Sequence, residues 1–408
     1  MLNHKKLELY FDHTIKALLC LFFLTCTVSI SLSEIGFFGA FFVWLIKMAY
    51  FGKFEWKRTP ADLPFALFTL LTLIAVYIGV DNASELTNRV KPLSLMLIYP
   101  LVVNNLKDKK MAKGFILLML GSVLIQSLII IYYGLTTTNL SLGQGVGGTM
   151  KITLTAGEML ATILGFALCF FVMAKDKKIK YFSVLTLSAG VIALLFTLAR
   201  GAWVSFIFVL LIFTLLWNKK MFFLFLAGTI ILSTGVYFTK GNVFIRKAES
   251  AFDTTRGTTP IRFAMWKSGL LMLKDNPLGI GIDNVYKTFE KPKYKLTDPR
   301  YPVFGHLHNN YLQIAVERGI LTLIAFLWLF YVFIRTALAG FLKEKNKEVR
   351  FIYLGILLGL SAFMIGGIFE YGLGSAIYAP IIWGFAGLGM TLEKEKQRLN
   401  LKKAENKR

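Results

Sequence analysis

The sequence predicts an all-α integral membrane protein of about twelve transmembrane helices, with one large extracytoplasmic loop between the ninth and the tenth. Three observations predict it. The chain is 56% hydrophobic with a mean hydropathy of +0.61, and Phe alone supplies 37 of its 408 residues, which departs from the composition of soluble proteins. Apolar runs of about 17 to 23 residues recur between short polar stretches, each long enough to cross a hydrocarbon core roughly 30 Å thick. Lysine and arginine are concentrated in alternate connections, as the positive-inside rule requires of cytoplasmic loops.

In chain order the apolar runs place helices at 17–33, 36–51, 63–80, 90–104, 114–135, 156–174, 181–198, 202–217, 221–238, 311–338, 351–369 and 373–391. The first sixteen residues are polar and the first run lacks a small-residue cleavage site, so a retained anchor is expected rather than a removed signal peptide. Cys20, Cys26 and Cys169 all fall inside apolar runs, so no disulfide and no cysteine-based metal cluster is expected.

The cationic connections are Lys53, Lys57 and Arg58; Lys107, Lys109, Lys110 and Lys113; Lys175, Lys177, Lys178 and Lys180; Lys219 and Lys220; and Lys343, Lys345, Lys347 and Arg350. In a soluble protein a net charge of +23 would point to nucleic acid. Distributed in this way it sets topology instead, with both termini cytoplasmic, and no nucleic-acid partner is expected. Residues 181–217 test the parity, since this apolar run between Lys180 and Lys219 is interrupted only at Arg200-Gly201. As one helix, at about 1.5 Å per residue, it would overrun the bilayer; two passes with a turn at Arg200-Gly201 fit, and leave Arg200 at the outer face.

The chain therefore divides into helices one to nine (1–238), an extracytoplasmic loop domain (239–310), helices ten to twelve (311–391) and a basic cytoplasmic tail (392–408) resting against anionic lipid headgroups. The loop is far longer than a connector and so is expected to be functional or separately folded. Its segment from Thr259 to Leu273 has helical apolar spacing at Ile261, Met265 and Leu270-Leu271, followed by the turn Asn276-Pro277-Leu278-Gly279-Ile280-Gly281.

Of four histidines, His4 and His13 lie in the cytoplasmic N-terminus, and the other two stand together in Gly305-His306-Leu307-His308-Asn309-Asn310-Tyr311, where the loop re-enters the membrane. An imidazole there suits proton transfer, because its ordinary pKa lies near neutrality. A polar helix start, with His and Asn capping amides, accounts for the same residues. Zinc is disfavoured, as there is no HExxH and the loop has no cysteine. The loop from Lys240 to Arg300 holds twelve Lys and Arg against six Asp and Glu, which suits an anionic substrate. Arg200 and Arg262 add guanidinium forks that bind phosphate oxygens in pairs. The alternatives are that Arg200 snorkels to the interface and that Arg262 lies on a solvated helix face.

His308-Asn309, then nine residues, then Gly319 resembles the motif of the O-antigen ligases and the wider superfamily of O-antigen polymerases and related glycan-transferring membrane proteins. The order around it is similar as well: Thr197-Leu198-Ala199-Arg200-Gly201-Ala202-Trp203, then Ile261-Arg262-Phe263-Ala264-Met265-Trp266, the 276–281 turn, and the histidine. Thr322 departs from the pattern, standing where the motif often has a second glycine.

The resemblance implies a C-type glycosyltransferase-like membrane fold in the bacterial inner membrane, with its site facing the periplasm. It implies His308 as the catalytic residue and Arg200 and Arg262 on the pyrophosphate of an undecaprenyl-linked glycan; His306, at a position the motif leaves variable, is a secondary candidate and, with Asn309 and Tyr311, is expected to bind substrate. The partners implied are that glycan, a lipid A-core acceptor and membrane lipids, with neither cofactor nor metal nor ATP. Two alternatives keep the donor, namely an O-antigen or exopolysaccharide polymerase and a protein O-oligosaccharyltransferase. A transporter is the alternative of a different class; it should show inverted repeats and broken helices meeting at the midplane, whereas the unusual polar residues here gather at the outer surface.

Overall fold

The computed structural model describes residues 4–54, 56–79, 83–137, 139–140, 142–218, 220, 259–296 and 305–405, and these are helical with no strand among them. The expected ninth helix at 221–238 lies outside the described residues, as do loop residues 239–258 and 297–304. The first nine helices are α1 (His4–Thr25), α2 (Ile30–Phe51), α3 (Asp62–Gly79), α4 (Ala83–Ser94), α5 (Ile98–Asn105), α6 (Lys109–Thr136), α7 (Thr153–Met173), α8 (Lys177–Phe196) and α9 (Arg200–Trp217). The described loop contributes α10 (Thr259–Asp275) and α11 (Val285–Phe289). The chain closes with α12 (Asn310–Arg318), α13 (Ile320–Lys343), α14 (Lys347–Gly366) and α15 (Tyr378–Glu405). Eight of them, α2, α3, α6, α7, α8, α9, α13 and α14, are long and apolar enough to cross a bilayer.

Four expected boundaries move, each for a local reason. The run at 17–33 is divided between α1 and α2, because Ser29 turns extended and its side chain accepts from the Leu32 N–H as an N-cap. The polar segment before it is helical too, since Asp12 is paired with Lys47 at 3.1 Å and Lys107 at 2.5 Å. The helix expected at 90–104 is broken into α4, a 3-10 turn at Leu95–Leu97 and α5, with Pro92 inside α4. The helix expected at 311–338 is broken at Gly319, between α12 and α13. The last helix begins at Tyr378, after a 3-10 turn at Gly372–Gly374, and continues to Glu405 through the segment expected to be a solvated tail.

Helices α7 and α14 form the centre of the bundle, with 89% and 78% of their apolar windows buried. Small residues let them approach: a Cβ on Gly165 would meet Leu358 at 2.9 Å, and one on Gly355 would run into Phe166. Lipid offers no hydrophobic force between helices, so close packing of this kind supplies the attraction. The cationic connections collect at one end of the bundle. There Lys113 pairs with Glu348 at 2.5 Å and Trp217 packs on Phe351, while Lys175 and Lys347 line one shallow cavity. The histidine pair lies at the other end, beside the turn that joins α8 to α9.

Two glycines dock the loop onto the bundle. Gly319 sits at φ +85 and ψ 163, a region open essentially to glycine alone, and a Cβ there would meet the Leu278 carbonyl at 2.6 Å. Facing it, Gly279 at φ +98 would bring a Cβ to 2.6 Å from the Glu317 carbonyl. This close approach lets the 276–281 turn pair with the end of α12, Ile280 N–H donating to Val316 O at 2.9 Å and Ile320 N–H to Pro277 O at 3.0 Å. Buried Arg89 ties the same turn to α4, donating to the Ile282 carbonyl, to Glu85 at 2.6 Å and to Asn284 at 2.9 Å.

Gly319→Ala should therefore cost about 1–3 kcal/mol from backbone conformation alone, lowering the thermal midpoint of the purified protein; an unchanged midpoint would show that this junction does not hold the loop. Cysteines introduced at Lys177 and at Tyr286, in a background without the native three, should label from opposite sides of the membrane. Labelling from one side would overturn the separation of the two ends.

Candidate active site

The centre of the site is a residue that the sequence reading did not single out. Glu370 follows α14 in a turn that is stitched to the start of α12. Asn310 N–H donates to Gly367 O at 2.7 Å, Asn309 Nδ2 to Ile368 O at 3.0 Å, the Tyr311 hydroxyl to Met364 O, and Leu373 N–H to Asn310 Oδ1 at 3.1 Å. These bonds bring the Glu370 carboxylate against His308, whose Nδ1 lies 3.0 and 2.9 Å from its two oxygens. The two side chains are each only 12% exposed.

Both histidines face Glu370 because Leu307 between them is anchored the other way. Its side chain is buried in a small loop core with Met265, Met272, Val285 and Phe289. Its carbonyl accepts from Trp266 Nε1 at 2.9 Å and its N–H donates to Gln313 Oε1 at 2.7 Å. Residues on either side of such an anchor project together. His306 Nδ1 stands 3.7 Å from Glu370 Oε1, and the Arg262 guanidinium on α10 stands 3.5 Å from Oε2.

A nitrogen this close to a carboxylate must carry the proton, so His308 holds its hydrogen on Nδ1 and Nε2 is the basic nitrogen of the ring. His306 takes the opposite tautomer at the same atom, its Nδ1 accepting from the His308 N–H at 3.3 Å. Burial, then the neighbouring His308 and Arg262 charges, lower the His306 pKa against the pull of Glu370. Burial works to raise the Glu370 pKa, but the His308 hydrogen bond and the charges of His308, His306 and Arg262 outweigh it and hold the carboxyl below its ordinary value.

His308, Arg262 and Arg200 line one cavity of about 310 Å³, walled by Thr153, Leu154, Thr197 and Leu198. Arg200 opens α9, so the positive end of that helix faces the same space. Four non-glycine residues among those described have positive φ, and two of them, Leu198 at +52 and His308 at +49, line this cavity. Backbone held in this way concentrates at functional sites. Beneath lies Glu158 of α7, 4% exposed, its oxygens 3.1–3.2 Å from where Cβ atoms on Gly366 and Gly372 would stand.

The structure thus brings together Arg200, Arg262, His306 and His308. Asn309 and Tyr311 spend their polar groups on the fold: Asn309 is the N-cap of α12, accepting from Leu312 N–H at 2.9 Å. His308 precedes that cap and lies off the helix, so the helix-cap reading does not describe it, and Arg262 is no solvated face. The nitrogens of His306 and His308 and a Glu370 oxygen lie within 4.8 Å of one another, a donor set able to hold a divalent cation, although Arg262 competes for the same carboxylate. Both missed acids left a signal. Glu158 is a carboxyl inside an apolar run, and Glu370 is the one acid between the last two apolar runs.

Two measurements follow. Glu370→Gln removes the charge that stabilises an imidazolium and lets the amide offer a hydrogen to Nδ1, so activity should fall about 10²–10⁴-fold, as for a lost base; full activity would remove Glu370 from the chemistry. Acid should loosen the cluster. His306, whose folded pKa is depressed, begins to oppose folding as pH falls below 6.5, the ordinary imidazole value. The depressed Glu370 carboxyl contributes stability that is present above its ordinary 4.5 and lost as pH falls through its lower folded value. The thermal midpoint should therefore decline across this range, and less steeply in a His306→Gln/Glu370→Gln protein.

The family described as O-Antigen ligase matches residues 185–327 of this chain, a stretch that contains Arg200, Arg262 and His308. A protein of Haemophilus influenzae described as uncharacterized is 26% identical over 373 residues, covering 84% of this chain and 88% of that one.

Proposed function

We propose that this chain, which carries the O-antigen ligase resemblance across its site, is a glycosyltransferase of the bacterial inner membrane. It transfers a polysaccharide from undecaprenyl pyrophosphate to a lipid A-core sugar at the periplasmic face, without ATP or a metal. The observation that carries this reading is the convergence of Arg200, Arg262 and the Glu370-held His308 on one cavity at the end of the bundle away from the lysine clusters.

In the proposed reaction the acceptor hydroxyl gives its proton to His308 Nε2 as its oxygen bonds to the anomeric carbon of the donor. The bond from that carbon to the phosphate oxygen breaks, and its electron pair leaves with undecaprenyl pyrophosphate. Arg200, Arg262 and the α9 N-terminus stabilise the charge that develops there. Glu370 stabilises the imidazolium and fixes the ring. Pyrophosphate is already a good leaving group, so orientation and two guanidinium forks suffice as catalytic elements.

Purified protein in proteoliposomes with lipid-linked glycan and lipid A-core should join the two. Glycan joined instead to a second lipid-linked glycan would establish the polymerase alternative, and no transfer would overturn the reading. In that assay Arg200→Lys and Arg262→Lys should each lose about 10²–10³-fold, because a lysine keeps the charge but not the fork. His308→Asn is the informative histidine variant, since Asn tolerates the positive φ that Ala would strain. It should fold and lose about 10²–10⁴-fold; an active protein would remove the base from the mechanism.

A further inference from the structure

A second cavity lies far from the histidine pair, at the lysine-rich end of the bundle. It measures about 850 Å³ and opens between α1, α6 and α8. Its floor is apolar, formed by Cys20, Phe115, Leu118, Ile179 and Phe182. Gly114 of α6 leaves it open, since a Cβ there would meet nothing within 4 Å.

The rim carries four lysines, Lys16, Lys107, Lys110 and Lys178, against two acids, Asp12 and Asp108. Both acids are engaged. Asp12 is shared by Lys47 and Lys107, and Asp108 caps α6 by accepting from Met111 N–H at 2.8 Å. Lys16, Lys110 and Lys178 make no ion pair with an acid among the described residues. Three ammonium groups from three helices therefore stand over an apolar trough.

The geometry points to a binding site for one anionic phospholipid of the leaflet that this end faces, its phosphodiester among Lys16, Lys110 and Lys178 and an acyl chain along the floor. A soluble anion has no use for the floor, and a zwitterionic lipid brings a cation of its own to three unpaired lysines. Only an anionic lipid satisfies both halves of the cavity, and basic pockets between membrane helices are where such headgroups are captured. The choice of cation fits: compact ammonium groups accept a phosphodiester in many orientations, where guanidinium forks would fix one. The bound lipid bridges α1 and α8 across α6, so it stabilises the folded chain by mass action.

The test is lipid retention and thermal stability in nanodiscs of phosphatidylcholine with graded phosphatidylglycerol. Wild type should retain phosphatidylglycerol through detergent extraction at least ten-fold in preference to phosphatidylcholine, near one per chain by native mass spectrometry, and its midpoint should rise with phosphatidylglycerol content. Lys16→Gln/Lys110→Gln/Lys178→Gln should lose both effects. Gly114→Trp, with every charge kept, should lose them as well because the indole fills the floor. Lys175→Gln/Lys345→Gln/Lys347→Gln removes equal charge from the same end of the bundle and should keep both. Equal retention of the two lipids, retention by the rim variant, wild-type behaviour of Gly114→Trp, or equal loss in the control variant would each overturn the site.

Discussion

The arrangement of the histidine end of the bundle depends on one buried carboxylate. Glu370 receives His308 Nδ1 on both oxygens and has His306 and Arg262 at 3.7 and 3.5 Å, so a single anion sets the tautomer of one histidine and the positions of two further side chains. Burying a carboxylate is costly unless it is paired, and here the cost is met by groups whose orientation the site needs. The Arg262 contact, at 3.5 Å, is longer than the His308 hydrogen bond, and it is one that a phosphate oxygen could take over without disturbing His308. Glu370 in turn is held by main-chain and amide bonds between the α14 turn and the start of α12. The geometry of the imidazole is thus inherited from helix packing in the bundle and not from the loop alone.

Hydropathy was enough to locate most of the described spans, because lipid imposes helical length. Arg200, Arg262 and His308 were legible as residues whose types are costly or unusual where they stand. The helix breaks at Leu95–Leu97 and Gly319 were not, since apolar character continues across both and only a tertiary contact distinguishes a break from a bend. Gly319 breaks because the Leu278 carbonyl occupies the space of a Cβ, which no window of sequence displays. Glu370 was missed for a related reason: it lies two membrane-length helices, α13 and α14, beyond His308, and its meaning appears only once Asn310 and Gly367 are bonded.

The two ends of the molecule use their cations differently. Arginines stand where charge is nearly enclosed and orientation matters, at Arg200 and Arg262 beside the cavity and at Arg89 beneath the loop turn. Lysines predominate where a hydrated point charge suffices, along the connections at the opposite end, beside Arg58 and Arg350. The net charge of the chain therefore serves two unrelated requirements, topology at one end and, in the proposed reaction, phosphate binding at the other, and its total says little about either.

Charge balance at the site links its resting form to the proposed reaction. Without substrate, Arg262 stands 3.5 Å from Glu370, and Arg200 lines the same cavity. A pyrophosphate entering this space brings excess negative charge into a region of low dielectric, where uncompensated charge is expensive. The least costly way to restore balance is for a neighbouring base to take up a proton, and His308 is placed to do so with Nε2. The acceptor hydroxyl supplies that proton at the step in which its oxygen becomes the nucleophile. Donor binding and acceptor deprotonation are then coupled through the field of the cavity, with Glu370 fixing which ring nitrogen receives the proton.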